Sequence, residues 1–498
     1  MRRPSFSLKG VLALPLASLL AACTVGPNFS KPKLDLPPQF TEKAATPTDI
    51  ALTDAQLTHW WQSFDDPVLD QLIDQAIAGN IDLQIARQHL LQAREDKVQA
   101  EAGDLPTVDF GASYTRARSS TTLTWPPGTG NYHYSQIGFD ASWELDIFGE
   151  TRRATEAATY DVNASIANRR ALLVSLLSEV AVDYTTLRAA QARLAIAESN
   201  LHTAQAIANY SAQLEAQGIG TTVEALQAKA QVEQTQSTLP ALRADVAVMA
   251  HAIAVLLGRY PGDLEPMLSQ PRPLMATPAT IPVSVPADVI ANRPDVHGAL
   301  MDYAAANAEI GVAVADELPH FTIPLTITPQ SSAMNTLFSG ASMTFIAAIE
   351  GTQHLYEGGK LDAKIRQARD NAQAAQLSYK ETVLSALQQV EDALVHVQSD
   401  REANASLAAS VADAQKALDQ STQLYHAGLQ DFLTVLTNER TVFASRDALA
   451  ESDAALVTDY IALYKALGGG WQHVELDPPD VKAMIAQAAA QRRKGGWF

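Results

Sequence analysis

Two stretches of this chain decide its fold: residues 82–106 read DLQIARQHLLQAREDKVQAEAGDLP, and residues 295–319 read DVHGALMDYAAANAEIGVAVADELP. Each begins with an aspartate and reaches Leu-Pro after the same 23-residue interval from Asp to Leu. Both have helical apolar spacing and are stopped by a proline, which cannot continue a helix. The chain therefore contains an internal duplication, and the segments that follow one copy should also follow the other.

A strand pattern follows each copy, because apolar and polar side chains alternate after residue 106 and again after residue 319. The apolar members are Val108, Phe110, Ala112, Tyr114, Ile137, Phe139, Ala141, Trp143, Leu145 and Ile147, then Phe321, Ile323, Leu325, Ile327, Met343, Phe345, Ala347 and Ile349. In the first hairpin the opposite face carries Asp109, Asp140, Glu144 and Asp146. Such strands have water on one face and either a core or lipid on the other. We expect the four acids to line a water-filled lumen.

A heptad pattern follows each pair of strands. Apolar residues recur every seven positions at Leu173, Val180, Leu187, Leu194, Leu201 and Ala208, and 210 residues later at Val383, Val390, Val397, Val411, Leu418 and Tyr425, with Asn404 at one position. Small residues form a companion seam at Ala190, Ala197, Ala204 and Ser211. Gly218 and Gly428 end the two long helices, and a second helix follows each glycine. Sustained heptads predict long helices packed on helices, here rods of about 80 Å.

The N-terminus is typical of a lipoprotein signal. Arg2, Arg3 and Lys9 precede an apolar run that is too short to remain as a spanning helix, and Leu-Ala-Ala leads directly to Cys23, the one cysteine of the chain. We expect cleavage before Cys23, with a diacylglycerol and an N-acyl chain on that residue and no other cofactor or metal. No later apolar run looks long enough for a spanning helix, so we expect the mature chain to cross a membrane as strands.

Charge and motifs exclude several classes of function. Removal of residues 1–22 leaves 33 basic against 55 acidic residues, a net charge of −22, which argues against a nucleic-acid partner. Gly359-Lys360 lacks the flanking residues of a phosphate-binding loop, and the chain has no metal-binding His-Glu-x-x-His and no Gly-x-Ser-x-Gly nucleophile motif. We therefore expect a protein that is not an enzyme. The pair Glu144 and Asp146 could imitate catalytic carboxylates, but a wholly polar strand face favours solvated acids.

The number of strands predicts an oligomer. Each chain supplies four strands, which cannot close, and unpaired edges in lipid cost several kcal/mol per backbone group. Two chains would give eight strands with a filled interior, and three would give twelve around a lumen. We therefore expect a homotrimer in outer-membrane lipid. A periplasmic coiled-coil scaffold without a pore remains an alternative, although it leaves the amphipathic strands without a partner.

Five motifs, in order along nearly the whole chain, resemble those of the TolC-like outer-membrane efflux channel family and of its NodT-type lipoproteins. They are CTVGPNF at 23–29, WWQSFDDP at 60–67, SWELDIFG at 142–149, RPDV at 293–296 and ALGGGW at 466–471. The resemblance implies a mixed α+β membrane protein, with a trimeric twelve-stranded barrel continued by a helical tunnel. Around the tunnel it implies an equatorial belt, built from the end segments and the mid-chain connector. It also implies an exit duct for drugs or other small compounds, or for another export system, with a periplasmic membrane-fusion adaptor and an inner-membrane pump of the RND class as partners.

The resemblance also implies functional positions at the two helical turns. The turns Gly218-Ile219-Gly220 and Gly428-Leu429-Gln430 are candidate contacts for the adaptor. The family's gate acids after the second turn fall at Thr434 and Thr437, where this sequence departs from the pattern. We hypothesise that Glu224, 210 residues before Thr434, and Asp431 supply the gate charge instead, with solvated turn residues or adaptor contacts as the alternative.

These expectations divide the chain into consecutive segments. They are a signal peptide 1–22, a lipidated tether 23–58, a first helix and equatorial region 59–104, a first barrel hairpin 105–148, a first helical hairpin 149–259, an equatorial connector 260–287, a second-copy helix 288–318, a second barrel hairpin 319–352, a second helical hairpin 353–467, and an equatorial segment with a flexible tail 468–498.

Overall fold

A computed structural model describes residues 24–41, 57–120, 122, 130–278, 286–472 and 474. The chain divides into two compact units. The sheet unit comprises Met1–Lys33, Gln88–Ile166 and His297–Glu381, and the helix unit comprises Leu34–Arg87, Ala167–Val296 and Thr382–Phe498. The predicted lipidation site, Cys23, lies outside the described residues.

The helices confirm the predicted duplication. They are α1 (Pro67–Gly79), α2 (Ile81–Ala102), α3 (Glu150–Ala216), α4 (Thr222–Leu256), α5 (Glu265–Leu268), α6 (Pro286–Asn292), α7 (Pro294–Ala315), α8 (Lys360–His426) and α9 (Phe432–Ala466), preceded by a 3-10 turn at Trp60–Phe64. Corresponding helices have equal lengths: 22 residues in α2 and α7, 67 in α3 and α8, and 35 in α4 and α9. A helix of 67 residues extends about 100 Å at 1.5 Å per residue.

The strands form one antiparallel sheet in the order β1 (Thr107–Arg118), β2 (Asn131–Leu145), β3 (His320–Ser331) and β4 (Met343–Ala347). A short β5 (Glu350–Thr352) also pairs with β3. The two hairpins are thus joined through β2 and β3.

The return strand of the second hairpin is interrupted, which corrects the continuous alternation expected through Ile349. The amide of Ala348 donates to the carbonyl of Pro324 in β3, at 3.2 Å. Pro324 has no N–H to donate in return, so the ladder loses a bond there and β4 ends at Ala347.

The earlier heptad residues of both long helices are buried, whereas later ones such as Leu194 and Val411 are half-buried. Leu173, Val180 and Leu187 of α3 are fully buried, as is Val397 of α8. The predicted small-residue seam is buried as well: Ala197 is 0% and Ala204 2% exposed. Small side chains there let neighbouring helices approach closely, as the sequence pattern predicted.

The connector after α4 packs within the helix unit. Arg188 of α3 is buried and donates to the carbonyl of Gln270 at 2.9 Å, and Gln191 donates to the carbonyl of Leu268 at 2.6 Å. At the chain ends, Trp60 stacks on Tyr464 with ring centroids 5.5 Å apart. These contacts attach the non-helical segments to the long helices.

One described helix, α4, is long and apolar enough to cross a membrane by length and composition. The expectation that no such run exists was therefore too strict. The apolar end of α4 contains Arg243, which pairs with Glu198 of α3 at 3.0 Å, while Ile253 and Ala254 are fully buried in the core of the unit. The end of α4 around Ile253 therefore packs within the helix unit.

Candidate functional site

The sheet presents a continuous apolar face. Phe110 of β1 is opposite Phe139 of β2, Phe139 is opposite Ile327 of β3, and Ile327 is opposite Phe345 of β4. All four are exposed, from 40% at Ile327 to 67% at Phe345, and the rings of Phe110 and Phe139 lie 5.3 Å apart. Trp143 lies on the same face, since its position differs from that of Phe139 by an even number. A row of four exposed apolar residues across four strands needs an apolar neighbour.

The opposite face carries the predicted acids. Asp109 is directly across from Asp140, and Asp140 accepts a 2.9 Å hydrogen bond from the hydroxyl of Thr326 on β3. Two carboxylates facing each other across a strand pair repel one another. A water-filled space on that face relieves this repulsion, because water screens the two charges.

Asp146 corrects one expectation. It was expected to face the lumen, but it lies beyond the end of β2 and its side chain is 11% exposed. Its carboxylate accepts from the amides of Thr151 and Arg152 at the start of α3 and pairs with the Arg152 guanidinium at 3.0 Å. Asp146 is therefore a local anchor for the start of α3. Alternation alone missed this role, because it carries no information on where a strand ends.

Glu144 joins a cluster that sequence reasoning did not anticipate. His320 Nδ1, at the start of β3, lies 2.8 Å from a Glu144 carboxylate oxygen and 3.7 Å from one of Glu150. Burial raises the pKa of Glu150, and Glu144 adds to the increase. The ligand-type atoms of the three residues lie within 4.8 Å of one another. The histidine is hydrogen-bonded to Glu144 and lies close to Glu150, so the observed interaction is a polar cluster that links β2, β3 and α3.

The N-terminal segment of the sheet unit is held by Arg153, a buried residue in the first turns of α3. Its guanidinium donates to the carbonyls of Val25 and Gly26 at 2.9 and 3.2 Å and to the side chain of Asn28 at 2.9 Å. Phe29 packs against Tyr303 of α7, with ring centroids 5.3 Å apart. The residues directly after Cys23 are therefore bound to the body of the protein.

The two helical turns have the same geometry. Gly218 and Gly428 have φ of +72° and +70°, a conformation that favours glycine at a helix end. The amides of Ile219 and Leu429 donate to carbonyls five residues back, at 3.0 and 2.9 Å. Both side chains are strongly exposed, at 73% and 74%. Each turn thus presents one large aliphatic side chain to solvent.

The candidate gate residues cap helices. Thr221 and Glu224 form a capping box at the start of α4, and the Asp431 carboxylate accepts the Thr434 amide at 2.7 Å at the start of α9. This hydrogen bonding lowers the pKa of Asp431, so it is charged at neutral pH. Thr437 donates to a backbone carbonyl of its own helix. The two acids occupy equivalent turns, and each has a structural role beside any gating role.

Comparison with known proteins agrees with this arrangement. The sequence model described as outer membrane efflux protein matches residues 72–259 and 285–469. The chain is 31% identical to nodulation protein T of Rhizobium leguminosarum over 98% of both chains. It is 29% identical to the probable efflux pump outer membrane protein TtgC of Pseudomonas putida over 93% of this chain and 96% of that one. The solved structure of the outer-membrane channel OprN superposes with a TM-score of 0.84 at 31% identity, covering 90% of this chain and all of that one.

Proposed function

This chain belongs to the outer membrane efflux protein family, and on that premise we propose that three copies of it close into one twelve-stranded barrel continued by a helical tunnel. The chain is the outer-membrane exit duct of a tripartite efflux pump and passively conducts drugs or other small toxic compounds out of the cell. In the proposed trimer, the row from Phe110 to Phe345 faces lipid, and Asp109, Asp140 and Glu144 face the lumen.

The observation that carries the trimer is the exposed apolar row on a sheet that ends at β1 and at β4 with β5. Among the described residues, these edge strands pair with no further strand of the same chain. Edges of this kind are not stable in lipid, and closure by neighbouring copies satisfies them. Three copies supply twelve strands, enough for a water-filled lumen.

The test combines assembly with conductance. The purified protein should have the mass of three chains in native mass spectrometry and should form steady channels in planar bilayers. Phe139→Asp places a charge on the lipid face and should reduce membrane assembly strongly, whereas the neighbouring Asp140→Asn on the lumen face should assemble normally. A monomer without conductance would favour the scaffold alternative.

We also propose that Cys23 carries a diacylglycerol and an N-acyl chain. The supporting observations are the signal sequence and the Arg153 contacts, which would hold the acylated end against the protein. Cys23→Ala should abolish incorporation of labelled palmitate, while part of the protein should still reach the outer membrane through its barrel. Palmitate labelling that persists in this variant contradicts the proposal.

The partners proposed are a periplasmic membrane-fusion adaptor and an inner-membrane RND-type pump. The exposed Ile219 and Leu429 on equivalent turns support an adaptor contact there, since a partner can bury these exposed aliphatic side chains. Ile219→Asp with Leu429→Asp should weaken adaptor cross-linking and drug resistance while single-channel conductance stays normal. Gln217→Asp, on an exposed polar position beside the first turn, is the matched control. Equal cross-linking of both variants would place the adaptor elsewhere.

Finally, we propose that Glu224 and Asp431 make the duct cation-selective. Glu224→Gln and Asp431→Asn remove the charge but keep a side chain that can still cap the helix. Reversal potentials across a salt gradient should therefore shift toward zero without loss of stability, most clearly in the double variant. A double variant with unchanged selectivity and conductance would exclude both acids from the gate.

A further inference from the structure

Two glutamates and a histidine of the sheet unit lie together where β2 ends and β3 begins. Glu144 is the last residue but one of β2, Glu150 is the first residue of α3, and His320 is the first residue of β3. The strand pairing places Glu144 opposite Thr322, and His320 is two positions earlier on the same face of the sheet. The three side chains are therefore positioned by regular elements, which hold a site more firmly than loops do.

The nitrogen and oxygen atoms of these side chains have the spacing of metal ligands. His320 Nδ1 lies 2.8 Å from a carboxylate oxygen of Glu144 and 3.7 Å from one of Glu150. One ligand atom from each residue can be chosen so that all three lie within 4.8 Å of one another. Ligands about 2.1 Å from a tetrahedral Zn²⁺ are roughly 3.4 Å apart. The two measured distances lie on either side of this value, and rotation of the exposed Glu144 side chain can adjust the pair of glutamates.

The charge of the cluster suits a divalent cation. The neighbouring acids Asp146 and Asp316 are each paired with an arginine or a lysine. Within the part of the chain that the structure describes, the ion pairs of Glu144 and Glu150 are with His320 alone. Two carboxylates and a neutral imidazole together balance the two positive charges of Zn²⁺, and a histidine with carboxylates is a ligand set that zinc accepts.

A cleft of about 330 Å³ beside the cluster gives a cation access to it. All three side chains line this cleft, and its other lining residues also belong to the sheet unit. The side chains of Glu144, Glu150 and His320 are 51%, 38% and 25% exposed, so none of them has to be uncovered before an ion binds. The cleft also has room for a water molecule as a fourth ligand, since one water occupies about 30 Å³.

We propose that Glu144, Glu150 and His320 form a binding site for Zn²⁺. His320 binds through Nδ1 and each glutamate through one oxygen, and the metal takes the place of the proton in the hydrogen bond between Nδ1 and Glu144. Mg²⁺ and Ca²⁺ bind less well, since they prefer six or more oxygen ligands. The sequence predicted no metal because the ligands form no compact motif: 176 residues separate Glu144 from His320. The site is formed within one chain, so it depends neither on the trimer nor on the pore.

The test measures zinc binding to the full-length protein, purified in detergent without a histidine tag and freed of metal with a chelator. Equilibrium dialysis followed by elemental analysis should show one high-affinity Zn²⁺ per chain, bound at least tenfold more tightly than Mg²⁺. Wild-type protein that binds no zinc saturably, or that binds Mg²⁺ equally well, would overturn the proposal without any variant.

Variants then locate the site. His320→Gln and Glu144→Gln each remove one ligand and should each lower zinc affinity at least tenfold. His354→Gln is the matched control and should leave zinc affinity within twofold, because His354 has Glu357 at 3.2 Å but belongs to no three-ligand group among the described residues. Glu144 is exposed, so its variant tests the site if His320→Gln fails to fold. Wild-type zinc affinity in both His320→Gln and Glu144→Gln would place the zinc elsewhere and refute the proposal.

Discussion

Replacement of Arg153 by alanine should release the segment that follows Cys23. The guanidinium is buried and makes three hydrogen bonds to residues 25–28, besides an ion pair with Glu156 at 2.7 Å. Hydrogen bonds to a charged group each contribute about 1.5–3 kcal/mol, but bonds from one side chain are not additive. We expect a loss of about 3 kcal/mol in the local free energy of detachment, close to the value for breaking a buried pair.

Chymotrypsin can measure this detachment, because it cleaves after Phe29, which packs against Tyr160 and Tyr303 in the bound state. If detachment is fast and reversible, the cleavage rate follows its equilibrium constant, so 3 kcal/mol corresponds to an increase on the order of 100-fold. Asn28→Ala removes a single acceptor and should give an increase of about tenfold, from the lower end of that range.

The control is Arg152→Lys. Arg152 is adjacent to Arg153 but binds Asp146 and Ile147 rather than the N-terminal segment. Cleavage after Phe29 in this variant should stay within threefold of the wild-type rate. A rate within threefold of wild type for Arg153→Ala would refute the idea that this arginine holds the segment.

Three further predictions follow from other parts of the chain. Burial, and then the nearby Asp400, raise the pKa of Asp459 to about 7, so its contribution to the free energy of unfolding is complete below pH 4 and is lost as pH rises toward 7. In a melting series from pH 4 to 8, Asp459→Asn should reduce the fall in the free energy of unfolding by on the order of 1–2 kcal/mol. The same fall in the variant as in the wild type would contradict this assignment. A peptide tag at Ala333, in the loop between β3 and β4, should label on intact cells while a tag at Gly218 should not, and reversed labelling would invert the topology. Gly26→Ala should weaken the attachment of the N-terminal segment, because Gly26 has φ +87° and a Cβ on it would lie 2.5 Å from the Cα of Gly311. An unchanged rate of chymotrypsin cleavage after Phe29 would contradict this close packing.

The candidate site was predictable in its surfaces but less so in its individual residues. The alternation located the apolar row of Phe110 and Phe139, since a strand of known period fixes which residues share a face. It misassigned Asp146, because the end of β2 depends on the hydrogen bonds that Asp146 makes to α3. His320 drew no attention in the sequence, since Glu144 lies 176 residues from it and only the strand pairing brings the two together.

The sequence by itself determined the duplicated order of helices and strands, the two glycine turns and the apolar faces. These features are local or periodic, and a period of 2 or 7 residues can be read along one chain. Tertiary structure alone decided that Arg153 binds residues 25–28 and that His320 lies beside Glu144 and Glu150. Each of these depends on elements far apart in the sequence, up to 176 residues between Glu144 and His320. Periodicity fixes which face of an element is buried, but the partner of each polar group on that face is set only when the elements pack.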